Sequence, residues 1–79
     1  MHATKRTERV LASIRRNNRE EIRVTRGEYK GHDVVNVRVW FQDRDSGEMR
    51  PGRDGVAFRA ALVDDLVAAL QSAKDQGVR

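Results

Sequence analysis

Nucleophiles and titratable groups are plentiful in this 79-residue chain, 35% of which is charged, yet none is spaced for catalysis. A paired-acid site needs two carboxylates whose apolar surroundings drive their pKa values apart, and here the acids alternate with arginines. Ser13, Ser46 and Ser72 lack a glycine elbow, and His32 has no evident nucleophile beside it. His2 and His32 are too far apart for a local metal motif, and without cysteine there is neither a thiolate site nor a disulfide. Pro51-Gly52-Arg53-Asp54-Gly55 lacks the Gly-Lys-Ser/Thr ending of a triphosphate loop. The expectation is a protein that is not an enzyme and has no cofactor. A different chemistry is concentrated between residues 29 and 53. Three of the four large aromatics, Tyr29, Trp40 and Phe41, alternate there with Lys30, Arg38, Arg50 and Arg53. Cations that follow a phosphate chain and rings on which bases stack are the two ingredients of single-strand recognition. The plainer alternative is that Tyr29 and Phe41 are core and that the arginines keep an edge strand soluble.

Charge distribution favours a polyanion. The formal net charge of +4 falls within residues 1–20, where Lys5, Arg6, Arg9, Arg15, Arg16 and Arg19 outweigh Glu8 and Glu20, and the remainder is balanced. A basic arm on a neutral body gains affinity for phosphates by steering and counterion release. Arginine outnumbers lysine, and arginine both chelates phosphate and stacks on bases.

The elements that must position these groups are legible from periodicity. Residues 1–9 are polar and expected to be disordered. Residues 10–16 suit either a short helix or an extended segment, and the turn signal Asn17-Asn18 favours the latter. Glu20 to Arg26 alternates charged and apolar residues as a half-buried strand does. Gly27 and Gly31 frame a bend. His32 to Gln42 is rich in β-branched and aromatic residues, with Val35, Val37, Val39 and Phe41 on one face and Val34, Asn36, Arg38 and Trp40 on the other. Asp43 to Gly47 is a hairpin loop, Glu48 to Arg50 returns, Pro51 to Gly55 is a second loop, and Val56 to Phe58 is a short last strand. From Ala60 the period becomes helical, with Leu62, Leu66 and Leu70 joined by Val63 and Val67 in one stripe. The resulting order, β-β-β-β-α, is an α+β fold in which a single helix covers one face of an antiparallel sheet.

The ordered segments Glu21-Ile22-Arg23-Val24, Glu28-Tyr29-Lys30-Gly31, Val35 to Phe41 and Gly47-Glu48-Met49-Arg50-Pro51-Gly52-Arg53, then Gly55-Val56-Ala57-Phe58 and the helix, resemble the transcriptional positive coactivator family, known as positive cofactor four. The likeness covers roughly residues 20–75. It implies a curved four-stranded antiparallel sheet followed by one C-terminal helix, homodimeric, with channels for single-stranded DNA. Carried onto this chain, the nucleic-acid-facing positions look like Tyr29, Lys30, His32, Arg38, Phe41, Arg50 and Arg53. Alternation puts Trp40, rather than Phe41, on the Arg38 face, so both rings are kept. His32 stands where the family commonly has lysine, and its contact should weaken near neutral pH. Asp54 stands where eukaryotic members often have lysine. The short arm, without a serine-rich tail, is similar to compact bacterial or phage members.

These readings give a basic arm over residues 1–19, a binding domain over 20–79, and a dimer interface of Leu62, Val63, Leu66, Val67 and Leu70. The expected partners are single-stranded DNA, with RNA left open, a second copy of the chain, and transcription or replication proteins. The rival reading is a protein–protein adaptor on that machinery. No apolar run approaches the roughly 18 residues that span a membrane, so the expected location is cytoplasmic and nucleoid-associated.

Overall fold

The computed structural model describes residues 8–76. Four strands, β1 (Arg9–Arg15), β2 (Glu20–Tyr29), β3 (His32–Gln42) and β4 (Met49–Arg59), form one antiparallel sheet in the order β1-β2-β3-β4. A 3-10 turn (Ala60–Leu62) leads into the helix α1 (Val63–Asp75). The α+β order is the one that periodicity implies, but two of the strands are drawn differently. The segment read as an arm, 1–19, contributes β1; its first seven residues lie outside the described ones. The two short strands expected at 48–50 and 56–58 are a single strand, β4.

The glycine- and proline-rich stretch between them is a bulge, not a loop. Arg38 pairs with Gly55 and Trp40 with Pro51, so Gly52, Arg53 and Asp54 together stand opposite Val39. β4 is an edge strand, where a proline does not interrupt a ladder on both sides. Close approach accounts for the glycines. A Cβ at Gly55 would meet the Val37 carbonyl at 2.6 Å, and one at Gly52 would meet the Val39 carbonyl at 2.9 Å. The Arg38 Nη1 donates to the carbonyls of Gly52 (3.2 Å) and Arg53 (3.0 Å), which satisfies backbone that the bulge removes from the ladder.

The turns follow from local chemistry. Asn17 Oδ1 accepts from the Arg19 and Glu20 amides, both at 2.9 Å, and so closes the β1–β2 connection. β2 runs through Gly27 to Tyr29, so the β2–β3 connection is two residues, Lys30 and Gly31, with φ of 52° and 81°. Positive φ at both positions is the tight hairpin geometry that matches strand twist. Asp43 organises the β3–β4 turn: its Oδ1 accepts from the Asp45 amide at 2.8 Å and its Oδ2 from Arg50 Nε at 2.6 Å.

Register divides the side chains between two sheet faces. Ile22, Val24, Val35, Val37, Val39, Phe41, Val56 and Phe58 share one, which we call the valine face. Arg15, Arg23, Thr25, Asn36, Arg38, Trp40 and Arg59 share the other, the arginine face. Among the described residues only Val35 and Thr25 are fully buried. Thr25 is a buried polar group, and its hydroxyl donates to Glu8 at 2.7 Å. The expectation that the helix covers a sheet face is corrected here. α1 has no buried residue, and its main contacts are with the 3-10 turn, with Val63 and Leu66 only half-buried. Leu62, Val67 and Leu70 are consequently 50–60% exposed.

Candidate nucleic-acid interface

The β2–β3 hairpin and the middle of β3 carry most of the residues that the sequence singles out. Tyr29 pairs with His32 at the hairpin end, and both belong to the arginine face. The Tyr29 ring is 54% exposed, with the Lys30 ammonium 5.3 Å from its centroid. Next to it a depression of about 320 Å³ is lined by Glu8, Gly27, Glu28, Tyr29, Val34, Asn36 and Ala57.

Further along the same face lie Arg38 and Trp40. The β2–β3 register runs without a break from Glu20–Phe41 to Tyr29–His32, so alternation is preserved and Trp40 stands with Arg38. Phe41 belongs with the valines. Its ring is nonetheless 39% exposed, beside Gly52, where a Cβ would come within 3.6 Å of it. A glycine there leaves the ring uncovered at the β4 edge. Arg50 pairs across from Phe41, also on the valine face. The structure thus brings Tyr29, His32, Arg38 and Trp40 together on one face, puts Lys30 at its rim, and separates Phe41 and Arg50 from them. Arg53 stands on the bulge between the two groups.

The cations differ in how they are engaged. Arg50 is ion-paired to Asp43. The Asp45 amide and the Arg50 guanidinium hold the Asp43 carboxyl below the usual carboxylate range. Arg38 Nε donates to Asn36 at 3.2 Å while Nη1 closes the bulge, so this arginine is partly a structural strut. Arg53 makes no ion pair among the described residues. On the valine face Arg26 takes Asp33 in a bidentate pair, with Nε to Oδ1 at 2.9 Å, and this hydrogen bonding lowers the Asp33 pKa.

Two further arginines, both on the arginine face, are not apparent from the sequence alone. Arg23 lies over the Trp40 ring, 4.5 Å from its centroid. Arg59 approaches His32, with Nη2 3.4 Å from Nε2. The alternation used for β3 finds both once the bounds of β2 and β4 are known. Their addition makes the arginine face basic: Arg15, Arg23, Arg38 and Arg59 oppose Glu8 and Glu21. Across the sheet Arg9, Arg26 and Arg50 are matched by Glu20, Glu28 and Asp33. No group of acids, histidines or cysteines among the described residues is arranged to hold a metal ion, and no described helix is long and apolar enough to cross a membrane.

Known proteins share this fold. A PC4 homologue from Burkholderia pseudomallei K96243 superposes with a TM-score of 0.81 at 28% identity, covering 90% of this chain and 95% of that one. The bacteriophage T5 homologue of the eukaryotic transcription coactivator PC4, implicated in recombination-dependent DNA replication, gives 0.60 at 23% identity over 87% of this chain and 74% of its own, a likeness of fold. The yeast RNA polymerase II transcriptional coactivator SUB1 is 31% identical over 45 residues, which are 57% of this chain but only 15% of the yeast protein. The model of the family described as Transcriptional Coactivator p15 (PC4) matches residues 16–69. With more than half its length matched, and with the sheet and terminal helix of its bacterial relative, this chain belongs to the PC4 coactivator family.

Proposed function

We propose that the protein binds single-stranded DNA with little sequence specificity, as a homodimer, in transcription, replication or repair. The observation that carries this reading is the gathering on one sheet face of the exposed Tyr29 and the half-buried Trp40 with cations that outnumber the acids beside them. Tyr29 and Trp40 supply surfaces on which bases stack. Lys30, His32, Arg38 and Arg53 follow the phosphates, and the path turns over the β4 edge at the bulge to reach Phe41 and Arg50. Stacking accepts any base, and phosphate contacts carry no sequence information, so low specificity is the natural outcome. A duplex hides the base faces that such a surface needs. The basic segment ahead of β1 adds phosphate contacts without selectivity.

Dimerisation is supported by what the protomer leaves open. Leu62, Val63, Leu66, Val67 and Leu70 are proposed to form the interface, because α1 buries no residue against the described part of its own chain. Burying one leucine is worth roughly 1.5–3 kcal/mol, which a domain with so little core needs.

The test is a competition between single-stranded and duplex oligonucleotides of equal length, together with a mass measurement by light scattering. Tighter single-strand binding by a dimer is expected, and Leu66→Asp should yield monomer or unfolded chain. Equal or tighter duplex binding would reject the single-strand reading, and a monomeric wild type would reject the dimer.

A further inference from the structure

We propose that Arg23 and Arg38 together form a phosphate seat at the centre of the arginine face, with Trp40 holding Arg23 in position. The proposal rests on single-strand binding and adds to it a contact that the sequence pattern does not reveal.

Arg23 on β2 and Arg38 on β3 are directly opposite across the strand pair, on the same face. Opposed side chains are about 4.5–5.5 Å apart at Cβ, and like charges so placed repel. Here the repulsion is only partly relieved. Arg23 Nε donates to Glu21 at 2.9 Å, and its guanidinium lies on the Trp40 ring. Among the described residues Arg38 is held by neutral oxygens alone: Asn36 Oδ1 and the Gly52 and Arg53 carbonyls. One carboxylate therefore serves two facing guanidiniums, both in half-buried residues.

The free donors also point to an anion. An arginine has five N–H donors, and Glu21 takes the single one on Nε, which leaves the terminal amino groups of Arg23 for a ligand. Arg38 makes no bond through Nη2 among the described residues. Two guanidiniums in a row, each oriented by its other contacts, suit the tetrahedral oxygens of a phosphodiester. Ser13 stands beside Arg23 in the same cross-strand row, and Gly55 stands beside Arg38, so no bulky neighbour closes the seat. The ring of Trp40 holds the Arg23 guanidinium in place by stacking on it from one side. A bound phosphate would remove the repulsion within the pair, while Glu21 competes with it for Arg23.

The experiment measures affinity for a fluorescein-labelled oligo-dT across a salt series. Wild type is compared with Arg23→Gln, Arg23→Lys and Glu21→Gln, each checked for wild-type thermal unfolding. Loss of one phosphate contact should weaken Arg23→Gln about fivefold and reduce the slope of log K against log salt by about 0.7. Arg23→Lys should retain the slope, and Glu21→Gln should bind more tightly than wild type. Wild-type affinity and slope in folded Arg23→Gln would overturn the seat while leaving single-strand binding intact. Weaker binding with an unchanged slope would overturn it as well, because Arg23 would then only support Trp40. Should Arg23→Gln unfold, Glu21→Gln decides: tighter binding supports the seat, and unchanged or weaker binding overturns it. A wild type that does not bind the oligo-dT overturns both this seat and the function on which it rests.

Discussion

The two faces of the sheet are built from the same strands, residue by residue in alternation, and they do opposite things with charge. On the valine face the cations are answered: Arg26 is clamped by Asp33 and Arg50 by Asp43, and the space between is filled by Ile22, Val24, Val35, Val37 and Val39. On the arginine face Arg23, Arg38 and Arg59 share Glu21, a few neutral oxygens and a histidine nitrogen. Folding needs only the first arrangement. The second keeps cations close together without matching acids, an arrangement that stability alone does not explain and that a polyanion would complete.

Substitutions that treat the two faces alike should therefore have unlike effects. The largest is expected from Val35→Asp. Val35 is 6% exposed, and an unpaired charge in its place costs about 3–5 kcal/mol, most of what a domain of this size possesses. Loss of the far-ultraviolet circular dichroism of the native sheet is the expected outcome. A folded Val35→Asp would show that the valine face is not the core.

On the arginine face, Tyr29→Ala and Trp40→Ala should leave a folded protein that binds worse. Loss of a stacking ring typically costs about 1–3 kcal/mol per base and releases no counterion, so Tyr29→Ala should weaken binding at every salt concentration with its salt slope unchanged, whereas Trp40→Ala, which also frees Arg23, should flatten the slope as well. Phe41→Ala distinguishes the two routes at the β4 edge. A loss of binding without a loss of stability would put the strand over the bulge, and a loss of stability alone would confine Phe41 to the valine face. Lys30→Ala and Arg53→Ala should weaken binding less but flatten the salt dependence, by about 0.7 in slope for each phosphate contact removed. An unchanged slope would exclude those two side chains from the phosphate path.

The smallest effect concerns acid. Asp33 and Asp43 are both held below the ordinary carboxylate range by their arginine and backbone partners. A depressed carboxylate pKa contributes stability that is complete above the ordinary range and is lost as pH falls through the lowered value. Thermal unfolding should therefore be insensitive to pH near neutrality, where these pairs contribute fully, and decline only in acid. Asp33→Asn and Asp43→Asn should be slightly less stable at neutral pH and should converge with wild type at low pH. Both groups are solvent-exposed, so the change is small. A difference that grows toward acid would contradict the sign.

Alternation was sufficient to place most of this site. The β3 pattern separates Val35, Val37 and Val39 from Arg38 and Trp40, and the unbroken register with β2 carries that separation across the sheet. What sequence could not supply was the partner of each residue. Arg23 became visible only when β2 was laid beside β3 and its guanidinium came over Trp40. The stretch from Pro51 to Gly55 reads as a loop because proline and glycine usually mark one, whereas three residues facing Val39 on an edge strand, held by Arg38, make a bulge inside a single strand. Residues 10–16 are short and apolar enough to suit a helix or a strand, and pairing with β2 resolves them. The helix stripe was legible as apolar, but its period does not say whether the surface covering it comes from the same chain.

Trp40 is the only tryptophan, and it stands next to Arg38 on the arginine face, so its fluorescence tests the central claim most directly. Titrating the protein with an unlabelled single strand, while following binding separately by the anisotropy of a labelled one, compares contact at this face with binding overall. The expected result is a change in Trp40 emission that saturates along the same curve as the anisotropy and is much smaller with duplex. Full binding by anisotropy with Trp40 emission unchanged would contradict it, and would place the nucleic acid somewhere other than the arginine face.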